Sequence, residues 1–308
     1  MRLDAGETIE DVAIESQELE EEIFLNQIRE FYEDELEKNK ELYDFVAEHT
    51  NNFRNFDAQI IREEPNVVKI LRYLVKPPIS QMKFGQFNGV GSTTNYEDDD
   101  PSTPTKATAK EMAKFMEENM DERKVPWLFQ DVDVDDWIDV SRDWTCDIIA
   151  QSEANTRYRN WRKDVQEDKV AEAMNEAGLK HVSRSSTISD IDDLPSGTFV
   201  SETKVACPGD DQKADFVARL AKDEILFLEA KAIGVKIDSY KRIKEIRNKE
   251  SDWRADFPNA RVGAAVAGWI PESQIETLLG DDIEVFWEHR LDSLQDYIHS
   301  HQNNLDSE

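Results

Sequence analysis

Apolar positions near the start of the chain recur at helical spacing. Leu19, Ile23, Ile28, Phe31, Leu36 and Leu42 fall on one stripe in a dense acidic background, which predicts an amphipathic helix from Leu19 to His49. After Pro65, the run from Val67 to Val75 predicts a short helix stopped by Pro77 and Pro78. Gly85 to Thr105 is rich in Gly, Ser, Thr, Pro and Asp and reads as a long exposed loop. Its Gly89-Val90-Gly91 lacks a following Gly-Lys-Ser/Thr, which argues against a phosphate-cradling loop. A further helix is expected over about Lys106 to Met120. Helical signals resume after Pro126 and Trp127, with a helix from about Arg157 to Ala177 closed by Gly178.

The period then changes. Thr198 to Ala206, Ala214 to Leu220 and Glu224 to Lys231 are β-prone, and the gap from Ala221 to Asp223 is short enough for a hairpin. Asp238 to Trp253 reads as a charged helix opened by an Asp238 cap. Val262 to Trp269 is a strand of the buried type, followed by a helix after Pro271, a strand over Ile283 to Trp287 and a closing helix. No internal repeat is present. The core order αβββαβ predicts an α/β fold of the mixed α+β kind, a sheet flanked by helices. Residues 1–150 are expected to form a helical N-terminal region and 151–308 the core.

Composition adds an unusual surface to this picture. The chain has 308 residues, 39% apolar and 9% aromatic, which suits a folded globular protein. Its 67 acids against 37 bases give a net charge of −30 and a sequence pI near 4.5. Such a surface repels itself at low salt, whereas in molar salt the Debye length falls to ~3 Å and most of the repulsion is screened. The composition is therefore read as halophilic. No apolar run approaches the ~18 residues of a membrane helix, and no charged-then-apolar leader is seen. With Cys146 and Cys207 the only cysteines, a reducing cytoplasmic location is expected.

Candidate chemistry gathers at the end of one strand. Ile225 to Ala232 (ILFLEAKA) ends in Glu229 and Lys231, which share a strand face because they are two residues apart. Placing two charges there costs desolvation unless a metal or substrate compensates them. The hairpin can bring Asp215, in the preceding strand, beside Glu229. Two acids and a lysine so arranged can bind a divalent metal and orient a water. Acid-x-Lys triplets also occur at Glu122–Lys124, Glu167–Lys169, Glu202–Lys204 and Asp211–Lys213, but only Glu229–Lys231 closes an apolar strand behind an acid-bearing one. The simple alternative is a sheet strand with an ion pair at its end. His289 reads as a packing residue. The tryptophans read as core anchors, with Trp161 and Trp253 also placed where they could lie beside DNA.

The Asp…Glu-x-Lys pattern within an αβββαβ order resembles the PD-(D/E)xK nuclease superfamily. EAK followed by DSYKRIKEIRNKESDWRADF, then AAVAGWI and VFWEHRLDSLQDYI, is similar to the XamI-type restriction endonuclease family. PPIS at Pro77 to Ser80, VPWL at Val125 to Leu128 and RYRNWRKDVQEDK at Arg157 to Lys169 are similar too. The likeness runs from about Pro77 to the C-terminus. Ala230 and Asp238 depart from the family pattern, which has a Cys-like residue and an Asn there. The resemblance implies a restriction-endonuclease-like fold in which Asp215, Glu229 and the Ala230 carbonyl hold Mg²⁺. It implies that Lys231 orients or deprotonates the attacking water and stabilises charge on phosphorus. Glu167 matches an acidic position on a helix of such nucleases and could be an extra metal or water-positioning group. Lys204 could touch phosphate.

DNA binding by so acidic a chain requires local reversals of charge. Lys69, Arg72, Lys76 and Lys83 lie in an acid-free stretch from Asn66 to Tyr96. Arg157, Arg159, Arg162 and Lys163 form a second island. Lys231, Lys236, Lys241, Arg242, Lys244, Arg247, Lys249 and Arg254 outnumber the acids between them. These islands suit a phosphate-facing cleft, or equally helix faces in ion pairs with their neighbours. The expected protein is a Mg²⁺-dependent type II restriction endonuclease that cuts double-stranded DNA as a homodimer, alongside a cognate DNA methyltransferase. A repair or recombination nuclease of the same fold and an inactive DNA-binding protein are the alternatives.

Overall fold

The computed structural model describes residues 1, 3–77 and 79–303. Pro78, in the PPIS motif and one of the two prolines expected to stop the helix after Val75, lies outside the described residues. Two compact units form. One gathers Met1–Asn26 with the chain from Arg159 onward, and the other is Gln27–Tyr158. The long helices α1 (Ile9–His49) and α7 (Ile138–Glu176) contribute residues to both.

The predicted first helix begins earlier than its stripe suggests. Thr8 and Asp11 exchange capping bonds: the Asp11 N–H donates to Thr8 Oγ1 at 3.2 Å and the Thr8 N–H to Asp11 Oδ2 at 2.9 Å. The helix predicted from Arg157 is likewise the second half of α7.

In the Gln27–Tyr158 unit, α2 (Ala58–Glu63), α3 (Val67–Leu74), α4 (Gln81–Phe87), α5 (Thr94–Glu97) and α6 (Lys106–Asn119) surround a core that includes Tyr43, Phe53, Ile61, Leu71, Phe84, Met112 and Trp127. Side chains of Asp57, Ser80 and Thr105 cap α2, α4 and α6. The stretch expected to be a loop, Gly85 to Thr105, is thus partly helical. Its anchor is Glu97, buried against Arg72 at 2.9 Å and accepting from Thr93 Oγ1 and Gln81 Nε2. Arg72, expected on a basic surface, is spent inside this unit.

The other unit carries a six-stranded sheet in sequence order: β1 (Lys180–His181), β2 (Thr198–Val205), β3 (Gln212–Ala221), β4 (Glu224–Ile233), β5 (Arg261–Gly268) and β6 (Glu284–Trp287). β2, β3 and β4 are antiparallel, and the hairpin turn is Lys222–Asp223. β4, β5 and β6 are parallel, as their helical crossovers α8 (Lys236–Asp256) and α9 (Glu272–Gly280) require. The expected αβββαβ order is realised by α7-β2-β3-β4-α8-β5. Two-residue β1, parallel to β2, has no apolar pattern and was not expected.

Both sheet faces are covered, which is why β4 reads as a continuous apolar run. Ile243, Ile246 and Trp253 of α8 and Ile275 and Leu278 of α9 pack with Val217, Phe227, Val262 and Val266 on one face. Val170 and Met174 of α7 and Leu294 and Ile298 of α10 (Asp292–Asn303) pack with Phe199, Phe216, Leu228 and Phe286 on the other. Asp238 does not cap α8. The helix begins two residues earlier, with Val235 at the cap position and no side-chain bond, and Asp238 sits in its first turn. Trp253 is fully buried and stacks on Phe227 at 5.2 Å, so it is a core anchor and does not lie beside DNA.

Candidate active site

The site is built where the β3–β4 ladder ends. Phe216–Leu228 is the last pair at this end, and Asp215 and Glu229 are the next residues on the two strands. Across β3, pairing with β2 holds at Ser201–Phe216 and Thr203–Ala214 but skips Glu202–Asp215. Glu202 has a left-handed backbone, φ 49°, which breaks the ladder beside Asp215. The strand pleat turns Glu229 and Lys231 to one side, and the antiparallel register brings Asp215 to the same side.

The side chains meet there. Lys231 Nζ lies 2.7 Å from Asp215 Oδ2 and 2.7 Å from Glu229 Oε2. The Ala230 N–H donates to Asp215 Oδ2 at 2.9 Å, and the Ala230 carbonyl accepts from Lys231 Nζ at 3.1 Å. A fourth residue completes the group. Lys249 Nζ, from α8, donates to both carboxylate oxygens of Glu229 at 2.8 Å and to the Lys213 carbonyl at 2.6 Å. Two acids and two ammonium groups therefore balance in charge. The Glu229 side chain is 0% exposed, Asp215 9%, Lys231 17% and Lys249 22%. Burial opposes the charge on Lys231, but Glu229 and Asp215 outweigh it and hold the ammonium above the ordinary lysine value.

Glu167 stands apart. It lies on α7, 3.2 Å from Lys163, which also holds Glu202 at 2.8 Å. Burial raises its carboxyl above the ordinary glutamate range, against the pull of Lys163, and the charges of Asp215 and Glu202 raise it further. Among the described residues it makes no hydrogen bond to Asp215, Glu229 or Lys231. The position is close enough to feel Asp215 but outside the bonded group.

The residues expected at a DNA surface divide by their partners. Lys236, Lys241 and Lys244 are exposed on α8, Lys204 is exposed on β2 opposite Lys213, and Arg159 is exposed on α7. Lys241 is 3.9 Å and Arg242 2.9 Å from Glu245. Arg247 pairs with Asp281, and Arg254 with Glu250 and the Asp282 carbonyl. Arg157 pairs with Asp34 and Glu35 and lies over the Phe31 ring. Arg162 is buried. Ion pairing thus accounts for many of the basic positions, and the lysines of α8 are the more open ones.

Lys249 was expected to face DNA and instead closes on Glu229. A signal for this exists in the sequence. Lys249 follows Ile246 by three residues and precedes Trp253 by four, so it flanks the apolar stripe that packs on the sheet.

The donor set suits a hard cation. Two carboxylates and the Ala230 carbonyl converge at one strand end, and Mg²⁺ typically takes one or two carboxylates and completes its shell with waters and phosphate oxygens. No group of three or more His, Cys, Asp or Glu side chains that could hold a metal forms among the described residues. A groove of about 640 Å³ runs between α8 and α9, lined by Tyr240, Lys244, Arg247 and Asp281, and none of the four clustered residues lines it. No helix among the described residues is long and apolar enough to cross a membrane.

No curated protein matches the chain. The model of the XamI restriction endonuclease family does, over residues 51–287. The match takes in Glu167, Asp215, Glu229, Lys231 and Lys249, and it begins upstream of Pro77, where the sequence likeness was first placed. With this mixed α/β fold and most of its length matched, the chain belongs to the XamI restriction endonuclease family.

Proposed function

We propose that this chain is a Mg²⁺-dependent type II restriction endonuclease that hydrolyses phosphodiester bonds at a short specific site in double-stranded DNA. The observation that carries the reading is the convergence of Asp215, Glu229 and Lys231 at one strand end. Asp215, Glu229 and the Ala230 carbonyl would hold the metal. When bound, Mg²⁺ supplies a lowered water pKa and charge neutralisation at the scissile phosphate.

The chain's own residues do the rest. Lys231, kept charged by its two carboxylates, orients the attacking water and stabilises negative charge growing on phosphorus. Glu167, with its carboxyl raised, is an additional water-positioning group. Direct attack by water on phosphorus leaves 5′-phosphate and 3′-hydroxyl ends.

The nuclease core is residues 151–308, with 1–150 as a helical N-terminal region. Lys236, Lys241, Lys244 and Lys204 contact phosphates directly. Arg159 meets phosphate from α7, and Arg242, Arg247, Arg254 and Arg157 join by exchanging protein acids for phosphate. Two-fold symmetric sites match a homodimer, and a cognate methyltransferase protects the host DNA. The net charge supports a halophilic cytoplasm as the working environment.

Incubating the full chain with unmethylated plasmid, Mg²⁺ and molar KCl and sequencing the ends tests the reading. Discrete fragments with a common end sequence are expected. Nicking that follows DNA structure would move the assignment to a repair or recombination nuclease. Binding without metal-dependent cleavage would leave only a DNA-binding protein.

A further inference from the structure

The catalytic cluster is electrically complete without any metal. Both oxygens of the Glu229 carboxylate are engaged, Oε1 by Lys249 and, at 3.4 Å, by the Asp215 N–H, and Oε2 by Lys249 and Lys231 together. Because Glu229 is fully buried, those ammonium groups are what keep its charge tolerable in place of water. A divalent cation arriving at the same oxygens meets two positive charges within a few ångströms, and one of them has to withdraw.

The two lysines are not equally free to do so. Lys231 rises from β4, where the pleat fixes its direction, and it is bound to Asp215 and the Ala230 carbonyl as well as Glu229. Lys249 comes from a helix, is the more exposed of the two, and already has a second acceptor in the Lys213 carbonyl. Its ammonium therefore keeps a partner when it leaves Glu229, and a duplex phosphate at the site supplies the anion it gives up.

We propose that Lys249 is a positioning residue that occupies the metal's place on Glu229 until DNA phosphate draws it away. This rests on the metal-dependent nuclease reading above. Metal binding is then weak in the free protein and coupled to DNA binding, each tightening the other by the same factor. The arrangement also keeps Glu229 correctly aimed while the metal is absent.

The test is Mn²⁺ titration of the full, DNA-free chain in molar KCl, followed by electron paramagnetic resonance of unbound Mn²⁺. Removing a unit charge this close to a metal ligand in Lys249→Met is expected to tighten Mn²⁺ binding by about tenfold or more. Lys249→Gln, which keeps a hydrogen-bond donor near Glu229, is expected to move the same way, so a poorly folded Met variant does not end the test. Lys249→Arg, which keeps the cation, is expected to stay close to wild type. A residue that merely stabilised the fold would lower Mn²⁺ affinity when removed.

Equal or weaker affinity in a folded Met or Gln variant overturns the role of Lys249, as does tightening in the Arg variant. Asp215→Asn separates this failure from that of the underlying reading. If wild-type Mn²⁺ binding is lost in Asp215→Asn while the Lys249 variants bind like wild type, the site stands and the proposal falls. If no folded Lys249 variant binds Mn²⁺ without DNA, the role of Lys249 falls; if wild type also binds none after a duplex is added, the metal-dependent reading falls with it.

Discussion

The sheet unit holds two clusters of buried charge with the same inventory, two acids and two bases, but different construction. In one, Arg162 sits between Glu20 and Glu288. Its Nε donates to Glu20 at 2.9 Å, its Nη2 to Glu288 at 2.7 Å, and Lys169 adds a contact to Glu288 at 2.8 Å. Arg162, Glu20 and Glu288 are 4%, 4% and 5% exposed. In the other, Lys231 and Lys249 close on Asp215 and Glu229. A guanidinium presents a rigid fork that fixes two carboxylates at once, whereas an ammonium is a point charge that rotates among partners. The Arg162 cluster ties α1 and α7 to the segment after β6. The Lys231 cluster lies at the end of a broken ladder, where Lys231 is held by Asp215, Glu229 and the Ala230 carbonyl and Lys249 divides its bonds between Glu229 and the Lys213 carbonyl. Buried charge alone therefore does not mark the active site. What sets the second cluster apart is Lys249, an ammonium with a second acceptor to hand in the Lys213 carbonyl.

The largest expected effect separates the clusters by chemistry. Lys231→Ala or Asp215→Ala should lower plasmid cleavage by about 10³-fold or more, with the near-UV circular dichroism of the wild type retained. Cleavage within tenfold of wild type by either folded variant would remove these residues from the site.

The next effect separates them by stability. Arg162→Met removes the guanidinium that both buried carboxylates, Glu20 and Glu288, face, and denaturant unfolding should show a loss of about 3–5 kcal/mol. Mg²⁺ should not restore it. Lys231→Met should also lose stability, but there Mg²⁺ should restore part of the loss, since the vacated charge lies where a metal can bind. Equal rescue of the two variants would erase the distinction drawn between the clusters.

Salt gives a smaller effect of another kind. The wild-type melting temperature should rise between about 0.1 M and 2 M KCl, because the −30 surface is then screened. The destabilisation by Arg162→Met should stay nearly constant over that range, since ions screen buried pairs far less. A wild-type melting temperature independent of KCl would remove the halophilic reading.

Much of this was legible beforehand for a physical reason. The apolar run of β4, ending in Glu229 and Lys231, and the hairpin pairing with Asp215 depend on period-two alternation and a short turn, both local. The register that sets Asp215 opposite Glu229 needs more than the turn, which pairs Ala221 with Glu224 and alone would set Asp215 against Ala230; a bulge between Arg219 and Ala221 shifts the ladder by one. What escaped were features set by partners distant in sequence. Ser16 in α1 accepts the Gly268 N–H at the end of β5, and Gly268 itself sits at φ 83° with its α-carbon so near the Ile233 carbonyl that a β-carbon would lie 2.3 Å away. Nothing in the acidic pattern of the first helix announces that docking. Arg72 and Arg162 were expected on basic surfaces for the same reason. Charge alone suggested exposure, and only Glu97, and Glu20 with Glu288, show where they are buried.

The smallest effect concerns Glu167, which lies between the two kinds of behaviour. Its carboxyl is raised chiefly by burial, and the single cation at 3.2 Å, Lys163, is shared with Glu202. A raised folded-state value means that ionising Glu167 costs more in the folded protein than in the unfolded chain. That cost is absent below about pH 4, where the group is protonated in both states, and it is fully present once the pH exceeds the raised value. Glu167→Gln should therefore stabilise the protein slightly near neutral pH, and the gain should vanish on acidification. Melting curves of wild type and variant from pH 4 to 8 in molar KCl measure this directly. A variant less stable than wild type at neutral pH would mean that the Lys163 contact outweighs burial, making Glu167 a structural ion pair of the Arg162 kind and removing its case as a water-positioning group.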